Sequence, residues 1–217
     1  MKRVAIVGAM MGLFLSACVT MIPMNEKYAN ELLINQSLAK HADYFKSKYA
    51  GTTKDEASYA YRAILVGELL AVQYDLALKM LCQEKEDKSI ISDMKMVKET
   101  LTLQLSYYSE IWSKAINDHV RYEYYSVDFS TALCITKKEF ERMEIFSRVE
   151  TIKEKIKEKI STLDKQKFPK TYELYASISQ FMALTEEPKG SLMTFNSMVN
   201  RITSDFSKIL ALAELEF

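Results

Sequence analysis

The stretch Ala63-Ile-Leu-Val-Gly-Glu-Leu-Leu-Ala-Val-Gln-Tyr-Asp-Leu-Ala-Leu78 decides the fold class, because Glu68 and Asp75 are its only charges. A helix apolar nearly all round is a buried one. The spacing extends this helix over 54–84. Composition agrees. The 217 residues hold five Gly and three Pro, where average usage would give about 15 and 11. A sandwich or barrel needs many turn residues, so a β-rich fold is excluded. At 48% hydrophobic residues, disorder over most of the length is excluded too.

Five further segments carry helical periodicity. The first, over 25–50, places Ile34, Leu38, Ala42, Phe45 and Tyr49 at helical spacing and ends at Gly51, where a helix C′ position favours Gly. The third, over 89–127, has the stripe Met94, Val97, Leu101, Leu105, Tyr108, Trp112 and Ala115. The fourth starts on Thr136-Lys-Lys-Glu139, which reads as a capping box, and runs to 167, before Pro169. The fifth covers 170–185 and is broken by Pro188 and Gly190. The sixth runs from 191 to the C-terminus. Its residues Leu192, Phe195, Val199, Ile202, Phe206, Ile209 and Ala213 alternate steps of three and four. That seam fits a bundle helix on its own domain or a homodimer contact over 192–213. The expected architecture is an all-α, elongated antiparallel bundle of about five to six helices, with 25–217 as a single domain.

Charge argues against nucleic acid as a partner. Lys plus Arg and Asp plus Glu both number 29, whereas nucleic-acid binders show a basic excess. His41 and His119 are the only histidines, and neither stands at metal-ligand spacing from Cys or acidic residues. Phosphate loops, dinucleotide fingerprints and nucleophile motifs are absent from the sequence. The reading is therefore non-enzymatic, with no metal and no cofactor. Glu68 and Asp75 lie two turns apart on the apolar helix. They read as an acid pair facing a polar cavity, as the helix's one solvent-facing strip, or as partners of Arg62 or Lys79. Trp112, Tyr122, Tyr124, Tyr125 and Phe129 form an aromatic concentration. It reads as a bundle-end cap or as a contact with a protein partner or lipid headgroups. Cys82 and Cys134 read as a disulfide if the third helix breaks, or as two separately buried thiols, since a straight helix would hold them some 55 Å apart.

The N-terminus carries the most specific signal. Lys2 and Arg3 precede fourteen uncharged residues, Val4 to Ala17, too few for a helix to span a bilayer and right for a secretory signal peptide. Leu15-Ser16-Ala17-Cys18 follows. These residues resemble the lipobox of bacterial lipoproteins, matched at all four positions. The resemblance covers residues 1–18 alone. It implies removal of 1–17, lipid on the Cys18 thiol, acylation of the new amino terminus, and a lipidated tether over 18–24. The implied site is the bacterial envelope. Val19 in place of Asp favours the outer membrane, and the periplasmic face is preferred to the cell surface. Loss of Lys2 and Arg3 leaves 27 basic against 29 acidic residues, a mature charge of −2. Two roles then stand open: an interaction or scaffold factor with a protein partner in the envelope, or a bundle that binds an apolar ligand or lipid.

Overall fold

The computed structural model describes residues 24–83, 87–121 and 127–217. These form an all-α bundle without β-strands among the described residues. The helices are α1 (Met24–Ile34), α2 (Ala42–Tyr49), α3 (Lys54–Leu81), α4 (Ser89–Arg121), α5 (Phe129–Arg142), α6 (Ile145–Ser161), α7 (Pro169–Glu186) and α8 (Leu192–Ala213). Short 3₁₀ turns, Ala39–His41 and Glu214–Glu216, precede α2 and follow α8.

Paired side chains give the directions. Tyr74 meets Gln104, and Arg62 meets Glu110, so α3 and α4 run antiparallel. Ser109 bonds Asn196 and Lys98 sits over Phe206, so α4 and α8 run antiparallel as well. The main core lies among α3 to α8, with Leu70, Leu101, Leu105, Ile152, Ile156, Phe181, Phe195 and Phe206 buried. The stripe read on α4 is buried throughout. A second, smaller core joins α1 and α2 to the first half of α3 through Ala29, Leu32, Phe45, Ala60 and Ile64. The seam of α8 is spent inside the chain. Phe195, Ile202, Phe206 and Ala213 are buried there, so the 192–213 stripe faces the domain's own core.

Helix ends show where local chemistry decides. Thr53 accepts from the Glu56 amide while the Glu56 carboxylate accepts from the Thr53 amide, a true capping box at the start of α3. Asp128 caps α5 and Ser191 caps α8, each through a backbone amide three residues on. Gly51, at φ +80°, closes α2, a conformation that Gly adopts without steric penalty. Helix α7 begins with Pro169, and its free amides at Lys170 and Thr171 are capped by Glu216 from the far end of the chain, at 2.6 and 2.9 Å. A carboxylate there also meets the positive end of the helix dipole.

Four sequence expectations are corrected. The 25–50 helix is broken at 35–41, so Ile34 is 83% exposed while Leu38, Ala42, Phe45 and Tyr49 stay buried. The Thr136–Glu139 box does not start a helix. Helix α5 begins seven residues earlier at Phe129, Thr136 donates to the Ala132 carbonyl, and Glu139 is fully buried. The fourth segment is also two helices. Glu144 adopts φ 58° between α5 and α6, and Arg148 donates to the Met143 carbonyl at 2.7 Å. Finally, Cys82 and Cys134 are both free and both exposed, neither bonded nor buried.

Candidate functional site

The densest polar cluster lies where the α1–α2 hairpin docks on α3 and α5. Its residues come from four elements. The break at 35–41 turns the chain so that Lys40 and His41 face α3. Their partner is Glu68, at 3.0 Å from Lys40 Nζ and 2.6 Å from His41 Nε2. Arg142, on the last turn of α5, reaches His41 Nδ1 at 3.3 Å. A guanidinium can only donate, so Nδ1 accepts, and the ring hydrogen sits on Nε2, aimed at Glu68. The second arm of Arg142 holds Glu139: Nε donates to Oε2 at 2.9 Å. The other Glu139 oxygen accepts from the phenols of Tyr44 and Tyr49, at 2.8 and 2.6 Å. The guanidinium also lies 4.2 Å from the centre of the Tyr44 ring, a cation–π contact.

The electrostatics follow from these contacts. His41 is 4% exposed and Glu139 fully buried. Burial raises the Glu68 carboxyl, but hydrogen bonds from His41 and Lys40 outweigh it and hold Glu68 below the ordinary carboxylate value. Burial, and then the hydrogen bond to Glu139, push the Tyr44 phenol up to about 12, and Tyr49 is raised further by the same causes. Both Tyr hydroxyls therefore stay protonated as donors. Both ring nitrogens of His41 and both oxygens of Glu139 have partners, so the cluster acts as a charged joint that fixes the hairpin's orientation.

The residues singled out in the sequence take these places. Glu68 belongs to the joint. Asp75, two turns on, is bonded instead by Arg148 of α6 at 2.8 Å. The structure does not bring the two acids together on one cavity; each has its own cation, and neither is Arg62 or Lys79. Trp112 is 8% exposed and stacks on Phe129 at 3.8 Å, closing one end of the core. Tyr122, Tyr124 and Tyr125 lie outside the described residues, as does Cys18. Sequence reading missed His41, Arg142 and Glu139 as a unit. One signal was there. Ala132, Thr136, Glu139, Phe140 and Met143 recur at helical spacing, which puts a carboxylate on an apolar face.

Elsewhere, an open cleft of about 400 Å³ lies between the ends of α3 and α6, beside Cys82, Lys155 and Lys159. Lys159 there approaches the buried carboxylate of Asp93 at 3.4 Å. Among the described residues no group of three or more His, Cys, Asp or Glu is placed to hold a metal ion, and no helix is long and apolar enough to cross a membrane. Fold and site together define an all-α bundle with a charged interhelical joint. Comparison with known proteins finds no matching family model, no matching curated protein and no matching solved structure.

Proposed function

We propose that this protein is a lipid-anchored component of a bacterial envelope, held at the outer membrane through Cys18, and that it works without catalysis as an interaction or scaffold factor for another envelope protein. One observation carries the anchor: Leu15-Ser16-Ala17-Cys18 stands directly behind a basic start and a short apolar stretch. Two acyl chains anchor a protein stably where one does not, so a lipoprotein terminus gives permanent attachment. The interaction role draws support from the charged joint, whose groups are occupied in holding helices together. A bundle that takes an apolar ligand is the alternative. It draws less support, because Glu68 and Asp75 are engaged in ion pairs and the cleft beside Cys82 has a mixed polar lining.

The anchor is tested by Cys18→Ala. Cells fed radiolabelled palmitate should label the wild-type chain and leave the variant unlabelled and released from membranes. Membrane retention of an unlabelled variant would sink the anchor. In-cell crosslinking followed by detergent purification tests the role. A lone monomer with bound lipid would turn the reading to the apolar-ligand alternative.

A further inference from the structure

We infer that the end of the bundle from which the chain leaves toward Cys18 is itself a membrane-contact surface, with Ile116, Val120 and Met193 entering the headgroup–acyl boundary. The inference rests on the lipid anchor proposed above.

Three facts fix that end. Tyr28 of α1 stacks on Tyr61 at 4.9 Å, and the chain reaches Glu68 by residue 41, so α1 runs parallel to α3 with Met24 toward the start of α3. Lys114 of α4 lies 5.1 Å from the Tyr59 ring, so residues 116–121 of α4 extend to that same end. Ser109 bonds Asn196 at 2.8 Å. In this antiparallel pair, Met193 lies one turn beyond Asn196, and Ile116 two turns beyond Ser109, both toward the same end. Val120 follows Ile116 by one further turn.

Among the described residues these side chains are left largely open. Ile116 is 44% exposed, Val120 75% and Met193 78%. Single exposed apolar residues are ordinary, and this bundle has others: Leu33 and Ile34 at the end of α1, Val72 and Leu76 on the flank of α3, Leu212, Leu215 and Phe217 at the opposite end. Tether length separates them. Six residue steps join Cys18 to Met24, a reach of about 20 Å at full extension. Helix α4 has 33 residues, about 50 Å, so the opposite end cannot reach the lipid that holds Cys18 when the bundle stands upright. With the bundle upright, the end carrying Ile116, Val120 and Met193 is the one that faces that lipid. Burying apolar side chains at the interface adds to the attachment the acyl chains provide. It also orients the domain, which the tether alone does not.

The test uses the full-length acylated chain in vesicles of phosphatidylethanolamine and phosphatidylglycerol with brominated acyl chains. Trp112 is the only tryptophan. In a Trp112→Phe background, Val120→Trp, Met193→Trp, Val72→Trp and Leu215→Trp each report one position. Val120→Trp and Met193→Trp should be quenched severalfold more than the other two. If removing Trp112 unfolds the chain, Val120→Cys in a Cys82→Ser, Cys134→Ser background, labelled with an environment-sensitive dye, should show a blue shift on reconstitution. Equal quenching at 120, 193 and 215 with palmitate present on Cys18 overturns the inference and spares the anchor. Greatest quenching at 72 overturns it as well, since the domain then lies on its side. A dimer in sedimentation equilibrium that Val120→Ser plus Met193→Ser dissolves would assign the face to a second copy, against lipid. Absence of palmitate from Cys18, with the chain left in the aqueous phase, removes the anchor reading and this inference together.

Discussion

Two helical hairpins dock on the bundle, α1–α2 on α3 and α5 and α7–α8 on α4, and they do so by different physics. The α7–α8 hairpin presents Phe181, Phe195, Ile202, Phe206 and Ala213, all buried in one apolar seam. Its side-chain hydrogen bonds to α4 are few: Tyr108, itself bonded to Gln104 and through it to Tyr74, donates to the Thr185 carbonyl, and Ser109 donates to Asn196 Oδ1. The α1–α2 hairpin also buries Phe45 and Leu32, but its junction is built on His41, Glu68, Arg142 and Glu139. Apolar area is tolerant of small shifts. Buried charge is not, because each partner lost leaves an uncompensated group. The first hairpin is thus held by area, the second by a set of mutually dependent hydrogen bonds.

Substitution should separate them. Arg142→Met leaves the fully buried Glu139 with two phenols and no cation, and should cost about 3–5 kcal/mol. Phe206→Ala, which removes the ring packed edge-on against Phe181, should cost a similar ~3–5 kcal/mol through cavity formation. The single costs match, and the couplings should not. Adding Glu139→Met to Arg142→Met should recover at least ~1 kcal/mol of the sum, because the stranded charge goes with its partner. Phe206→Ala combined with Arg142→Met should be additive, the two sites sharing no contact. Urea unfolding of the five variants, Glu139→Met alone included, measures this. An Arg142→Met cost below ~1 kcal/mol would show that the joint is not what holds the hairpin.

Acid gives a second way to part the two regions. Glu68 has a folded pKa below its ordinary value because His41 and Lys40 bond its carboxylate against the opposing effect of burial. A carboxyl lowered in the folded state stabilises above its unfolded pKa of about 4.3 and loses that contribution as pH falls through the folded value. Unfolding free energy should therefore drop below pH ~4, and Glu68→Gln should flatten that limb. The alkaline limb cannot discriminate. Tyr44 and Tyr49 at the joint are raised, and so are Tyr74 and Tyr108 in the main core, so stability falls in both regions as pH rises from about 10 toward 12. An acid limb unchanged in Glu68→Gln would remove Glu68 from the joint's energetics.

The same contrast governs what the sequence reveals. The α7–α8 region is written in periodicity: the seam from Leu192 to Ala213 and the stripe from Met94 to Ala115 appear as apolar positions and bury as such. The joint is not. Thr136-Lys-Lys-Glu139 and Thr53-Lys-Asp-Glu56 are the same local pattern, and only the second caps a helix. What distinguishes them is tertiary. Tyr44 and Tyr49, some ninety residues upstream, take Glu139 as their acceptor, and a capping motif cannot be told from a buried acceptor without knowing who arrives. The exposed face of Ile116, Val120 and Met193 was hidden for a related reason. It spans two helices whose register depends on Ser109 meeting Asn196.

The smallest expected effect tests the bend that joins the regions. Helix α5 carries the joint and α6 packs on the main core, with Glu144 in the left-handed conformation between them. That conformation costs an L-residue roughly 1–2 kcal/mol, and Gly adopts it without steric penalty. Glu144 contributes little in return. Its carboxylate is 3.7 Å from Arg148 with 76% of the side chain exposed, a pair of negligible worth. The bend is held instead by Arg148, bonded to both the Met143 carbonyl and Asp75. Glu144→Gly should therefore raise the thermal midpoint, with a gain of up to ~1 kcal/mol once the entropy of the unfolded Gly is counted. Glu144→Val should lower it, since a β-branched side chain tolerates this region worst. A lower midpoint for Glu144→Gly would mean that a stiff bend is worth more than an unstrained one. The two regions would then depend on each other through α5 and α6, and the additivity expected between Arg142 and Phe206 should fail in the same measurement.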